Sequence, residues 1–321
     1  DGLGAQTVAP HVERRVGVVH REEEPDLLEL ARLAGEAPEA LVRTEGLRRL
    51  DGLAHVGPRP LDLIDARDPL LVGLGITAAL AAIPAGVYRF QEVMDDDGQG
   101  TRDIPLQATV AVDAGGVRVD FTGTAGQVPG NINCPLSVAA AAVYYVFRCL
   151  MPPQTPACAG SFRAIRILAP PGSLLNARRP AAVAAGNVET STRVVDLILG
   201  ALAQALPDRI PAASHGSMNN LAMGSARAQV PWDYYETIGG GMGAGPRGGG
   251  LSGVQTHMTN TLNTPIEVLE RRYPVRVLSY GLRRGSGGAG MRPGGEGLVR
   301  ELQFLAPATV TLLGERRTHR P

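Results

Sequence analysis

Side chains able to move protons or donate hydrogen bonds concentrate between Gly186 and Asn263, in the runs GNVETS, SHGSMNN, YYETIGGG and THMTNTLNTP. His215 and His257 are the histidines of this stretch. An imidazole titrates near pH ~6.5 and can both give and take a proton under cellular conditions. His257 is the first candidate for acid or base, with His215 as the alternate. Asn219, Asn220 and Asn260 are neutral donors suited to an oxygen that gains charge as an acyl or phosphorylated intermediate collapses. Glu189 or Glu236 could orient the histidine, and Asn187, Thr190 and Arg283 complete the set as substrate-binding candidates. Each has a plainer alternative. Either histidine could be a satisfied structural residue, and Asn187 and Glu189 could do no more than cap a helix and meet its dipole. Buried amides need partners, so the cluster forms either an internal network or the lining of a polar pocket. The expectation is that the helix start at Asn187 to Thr190, the HGSMNN turn and a THMTN strand converge on one cavity.

Other chemistries are excluded by composition. All 31 basic residues are arginine. Without lysine there is no Walker-type phosphate loop, no Schiff base and no lysine general base. The GxGxxG match at Gly285 to Gly290 follows a strand-like PVRVLSY, yet Arg292-Pro293-Gly294-Gly295 stands where a dinucleotide site needs a helix to open. The other glycine run, Ile238 to Gly250, reads as a substrate-enclosing or subunit-contacting loop, with a plain surface loop as the alternative. The 31 acidic residues cancel the basic ones, so no net field favours nucleic acid or anionic lipid. Cys134, Cys149 and Cys158 are odd in number and lack metal-type spacing, which points to reduced thiols and a cytoplasmic location. The longest nearly apolar run, Leu136 to Phe147, falls short of the ~20 residues of a membrane span. His11, His20, His55 and His319 lie in charged or terminal segments and are expected to face solvent.

The elements that must position the cluster follow from periodicity. Leucines and alanines at three- and four-residue intervals from Pro25 to Leu50 predict a pair of amphipathic helices, and Leu70 to Ile83 a further helix stopped by Pro84. The division is therefore a helical segment over 1–84 and a larger unit over 85–321. In that unit, GVYRFQEVMDDDGQG and IPLQATVAVDAGGVRVDFTGT read as an antiparallel meander with turns at Asp97-Gly98 and Gly115-Gly116. A helix from Pro135 to Met151 and a strand at FRAIRIL follow. Asn187 to Leu206 is the clearest helix, with Val188, Val195, Ile198, Leu199 and Leu202 on one side. Long helices inserted among antiparallel or mixed strands and glycine-rich loops, without regular alternation, predict an α+β fold rather than a doubly wound sheet.

These runs, together with DFTGTAGQVPGNIN (Asp120 to Asn133), VETSTRVVDLILGALAQALP, RYPVRV and LRRGSGGAG, resemble hydantoinase B in order and spacing, nearly continuously from Gly86 to Pro321. The resemblance extends to 5-oxoprolinases, N-methylhydantoinases, and acetone and acetophenone carboxylases. It implies a hetero-oligomer with a hydantoinase A-type subunit that binds ATP and phosphorylates a cyclic amide, whose ring opening the B-type component completes by hydrolysis. It implies no cofactor held by this chain. A divalent metal is associated in the family with a His/Asp-rich stretch of the HADxGG kind in the N-terminal half, and nothing before Pro84 resembles it. Asp1 to Ala9 resembles the GDLxAQxxA segment that follows that half, so the chain reads as a truncation or as the partner of a separate metal-bearing polypeptide. Residues Arg43 to Ala79 depart from the family. A scaffold fragment and a ketone carboxylase component are the alternatives.

Overall fold

The computed structural model divides the chain into Asp1–Asp62 and Leu63–Pro321 and describes Leu80 and residues 82–321, apart from 154, 156 and 157. The helices expected over 25–50 and 70–83 therefore lie outside the described residues, except for Leu80, Ala82 and Ile83 at the end of the second.

The second unit is an α+β fold. β1 (Gly86–Asp96) runs antiparallel to β2 (Arg102–Asp113), and β2 antiparallel to β3 (Gly116–Asp120), as the alternating valines predict. β4 (Ile165–Leu168) joins β3 in parallel and makes the sheet mixed. Ile104, Leu106, Ala108 and Val110 of β2 and Val117 and Val119 of β3 point into one core, the consequence of a side-chain period of two. Two helices cover that face. α1 (Leu136–Leu150) opens behind Pro135 and buries Ala139, Ala142, Val143, Val146 and Phe147, a stripe at helical spacing. α2 (Ser191–Ala203) is buried along its whole first half, including the polar Ser191, Thr192, Arg193 and Asp196. A π-helical turn, Gly186–Thr190, leads into it. Asn187 lies inside this turn, and no side chain caps it. The expectation that Asn187 caps the helix is thus corrected: the chain enters α2 already helical, so the free amides lie further upstream.

A smaller sheet, β6 (Trp232–Thr237), β5 (Asn220–Ser225) and β9 (Thr309–Leu313), is antiparallel throughout. Met223, Tyr234, Leu269 and Val275 form its core with α3 (Ile266–Arg272) and the pair β7 (Val275–Arg283) and β8 (Gly297–Phe304). THMTN forms a turn rather than a strand, whereas no helix follows Gly285 to Gly290, as the Arg292-Pro293-Gly294-Gly295 run indicated. The 238–250 run is not an open loop: Gly241 and Gly250 lie backbone to backbone against Gly295, with Gly295 N donating to Met242 O and Met242 N to Leu251 O. Among the described residues no helix is long and apolar enough to cross a membrane, and no disulfide forms; burial pushes the Cys134 thiol up to about 12.

Candidate active site

Glu189, Arg193 and Asp196 fall at i, i+4 and i+7, so one face of the π turn and α2 carries three charges into the interior. Each meets a different part of the fold. Glu189 is fully buried; its Oε1 accepts from Asn220 Nδ2 at 2.6 Å and from Met218 N at 3.3 Å, while Oε2 has no hydrogen-bond partner. Burial raises its carboxyl to about 7, against the pull of these donors and with Glu315 nearby adding to the rise. Asn220 also donates to Leu313 O at 3.1 Å and accepts from Tyr235 Oη. Both of its N–H groups are therefore committed.

Two turns on from Glu189, Asp196 is buried completely. Its Oδ2 accepts from Arg316 Nη2 at 3.0 Å, and its Oδ1 lies 3.4 Å from His257 Nε2. The same Arg316 nitrogen donates to Glu92 Oε1 at 3.0 Å, and Glu92 Oε2 lies 3.6 Å from Arg193 Nε. Arg193 Nη2 donates to Val93 O on β1, while its Nε and Nη1 have no hydrogen-bond partner. The charges thus alternate: Arg193, Glu92, Arg316, Asp196, and then the His257 ring. Neutralisation in sequence is what permits so many charges to leave water together. Burial still raises Glu92 to about 7, opposed by Arg193 and reinforced by Asp196.

His215 stands beside this chain of charges. Its Nδ1 is 3.3 Å from Gly241 O, and burial lowers its pKa, so a neutral ring donating to that carbonyl fits the surroundings. A β-carbon on Gly240 would sit 2.4 Å from His215 Cγ, so glycine is required there for the ring to lie against the backbone. His257 has φ 54° and Asn219 has φ 48°, the left-handed region that non-glycine residues seldom occupy. Tyr145 of α1 meets the His257 ring edge-on at 6.0 Å between centroids.

Of the three segments expected to meet, the helix start reaches the 217–220 turn through Glu189, whereas His257 of THMTN meets Asp196 of α2 rather than Asn187 to Thr190. Other candidates are placed elsewhere. Glu236 pairs with Arg300 and accepts from Thr264 N at 2.7 Å, and the Arg300 guanidinium lies 4.8 Å over the Tyr280 ring. The carboxylate beside His257 is Asp196, not Glu189 or Glu236. The Thr190 hydroxyl donates to Ile132 O at 2.5 Å, and Asn219 Nδ2 donates to Ile238 O at 3.2 Å. The side chains of Asn187, Asn260 and Arg283 are exposed and make no hydrogen bond among the described residues. His319 is tied to Asp103 Oδ1 at 2.6 Å rather than standing free in solvent. Sequence reasoning passed over Glu92, Arg193, Asp196 and Arg316. For two of them a signal existed: Arg193 and Asp196 interrupt an otherwise apolar helix at the same spacing from Glu189. Among the described residues no group of three or more His, Cys, Asp or Glu side chains is arranged to hold a metal ion, and the arginines already engage Glu92 and Asp196.

Comparison with known proteins agrees with this architecture. Over 231 residues the chain is 46% identical to 5-oxoprolinase 1 of Arabidopsis thaliana, covering 72% of this chain and 17% of that protein. It is 30% identical over 300 residues to a Pseudomonas protein named as the B component of a D-/L-hydantoinase, covering 89% of this chain and 50% of that one. The solved ATP-dependent caprolactamase of Pseudomonas jessenii superposes with a TM-score of 0.66 at 28% identity, over 75% of this chain and 43% of that one. The chain thus spans about a sixth of the length of the plant enzyme and half that of the hydantoinase component. Residues 74–321 match the hydantoinase B/oxoprolinase family model, and the chain belongs to that family.

Proposed function

We propose that this chain is the B-type component of an ATP-dependent cyclic amide hydrolase, and that His257, set by Asp196, transfers the proton when the activated ring opens. The observation that carries this reading is the buried His257–Asp196 contact at 3.4 Å, flanked by His215 and closed off behind by Arg316. Nε2 faces the carboxylate, which leaves Nδ1 as the nitrogen able to exchange a proton with a bound group. Opening of a lactam or hydantoin ring requires a proton at the departing nitrogen and removal of one from attacking water, and a single imidazole can serve each in turn. Asn219, with one N–H free of Ile238, and the exposed Asn260 are the amides available to an oxygen gaining charge, since Asn220 is fully engaged. Asn187 and Arg283, both exposed, stay candidates for substrate contact, whereas Thr190 is buried with its hydroxyl on Ile132 O.

Activation by ATP is assigned to an A-type partner, because this chain has no lysine for a phosphate loop. The names of the relatives give the substrates to try: 5-oxoproline, a hydantoin and caprolactam. The test is reconstitution with an A-type partner and measurement of ring opening alongside ADP release. ADP release with ring opening only when this chain is present supports the reading. Ring opening that is unchanged by omitting the chain overturns it, and incorporation of bicarbonate into a ketone in place of ring opening assigns carboxylase chemistry instead.

A further inference from the structure

The geometry points to Arg316 as a positioning residue for the His257–Asp196 pair, inserted into the buried cluster by a strap of backbone, Gly314 to His319. This deepens the proposed function and depends on it for its catalytic reading. Three independent features build the strap. The Asp95 carboxylate at the end of β1 accepts from Arg317 N at 2.6 Å, Thr318 N at 3.0 Å and His319 N at 2.9 Å, which holds its carboxyl below the usual range despite burial. Glu315 is fixed on the other side, its Oε2 accepting from Asp95 N at 3.0 Å and its own N donating to Ser217 Oγ at 3.2 Å. Arg316 between them has φ 64°, a left-handed conformation, with Glu315 held on Ser217 and Asp95 on one side and Arg317 on Asp95 on the other.

The receiving side is shaped for it. Gly216 follows His215 with φ 64°, and a β-carbon there would lie 2.5 Å from Arg316 Nε and 3.0 Å from Asp196 Oδ2. Only a residue without a side chain lets the guanidinium and the carboxylate meet against the backbone that carries His215. The consequence for Asp196 is specific. Arg316 occupies Oδ2, so Oδ1 alone remains to face His257 Nε2, 3.4 Å away. The same nitrogen ties Glu92, so the two acids stay apart in role: Glu92 is turned to Arg193 and Asp196 to the histidine. A lysine would supply the charge without the planar fork that places it.

The test is Arg316→Gln and Arg316→Lys in the full chain, assayed in the reconstituted complex across pH and examined alone by 15N-histidine NMR. Loss of the charge should lower kcat by about 10- to 100-fold with KM within twofold, and shift the acid limb of the rate profile. The His257 ring signals should change in the isolated Arg316→Gln chain, and Arg316→Lys should restore part of the rate and return the limb toward its original position. If Arg316→Gln merely lowers Tm while the profile and the His257 signals stay as they were, the residue is structural and the inference is wrong. If His257→Asn leaves turnover intact, the proposed function fails instead, whatever the His257 signals report about Arg316.

Discussion

Two buried ion-pair systems stand in this unit, and they are built differently. Glu236 and Arg300 form a closed pair between β6 and β8, with Thr264 N on the carboxylate, the Tyr280 ring under the guanidinium and no histidine among these partners. The Arg193, Glu92, Arg316, Asp196 series is open at one end, where the last acid is applied to His257. Both neutralise charge that has left water, so burial alone does not distinguish a stabilising pair from a reactive one. What distinguishes them is the terminus: one closes on its own partners, the other is applied to an imidazole ring. Backbone strain follows the same division, with positive φ at His257, Asn219 and Arg316 around the open series and none at Glu236 or Arg300.

The comparison is broken most directly at the closed pair. Glu236→Gln leaves the Arg300 guanidinium buried without its charge partner, and such a loss costs about 3–5 kcal/mol. The expected outcome is a large fall in Tm by calorimetry, with kcat of the folded fraction close to the parent. A fall in kcat exceeding what the unfolded fraction explains would show that this pair also serves the reaction.

Next in size is the open end. His257→Asn should lower turnover in the reconstituted complex by roughly 100-fold or more, the effect of losing general acid–base catalysis, with folding and partner binding retained. If His215→Asn abolishes turnover while His257→Asn stays within a few-fold of the parent, the two histidines exchange roles.

The third effect is a pH dependence of stability. Glu92 and Glu189 are both raised from 4.5 to about 7 by burial. A carboxyl that keeps its proton in the fold binds more protons folded than unfolded between those values. Its contribution is therefore fully present below pH 4.5 and lost as pH rises through 7. For Glu189 that loss is on the order of 3 kcal/mol. Glu189→Gln, which can keep the bonds from Asn220 and Met218 while removing the charge, should flatten the slope of unfolding free energy across this window. An unchanged slope in urea titrations from pH 4.5 to 8 would assign the dependence to Glu92 or to other groups.

The meander, both long helices and the α+β class were legible because they depend on side-chain period, and the period of Val110, Val112, Val117 and Val119 or of Ala139 through Phe147 survives in any context. The site was legible only as a concentration of polar residues. His215, His257, Glu189 and Asn220 are where that concentration suggested, but Glu92 and Arg316 approach from β1 and from beyond β9, some two hundred residues apart, and no local pattern announces such a pair. Glu236 misled for the complementary reason: on β6 it neighbours Tyr235, which does reach Asn220, but adjacent strand residues face opposite sides, so its carboxylate belongs to the other core. The THMTN turn misled because a polar run with apolar flanks has no period of its own.

The smallest effect tests whether the helix start belongs to the site by structure or only by position. Asn187 stands two residues before Glu189, exposed, and its side chain caps nothing. Loss of a functioning N-cap costs about 1 kcal/mol, whereas an exposed substitution away from any such bond stays within about 0.5 kcal/mol. Asn187→Ala should therefore leave Tm nearly unchanged. The entry to α2 is held instead by Ser191 Oγ on Asn187 O and Thr190 Oγ1 on Ile132 O, bonds that the substitution keeps. A few-fold rise in KM with unaltered stability would identify the Asn187 side chain as a substrate contact at the edge of the open series. A drop in Tm of the size expected for a lost cap would instead place it in the fold, and with it would fall the distinction between a helix start that carries Glu189 inward and one that merely begins a helix.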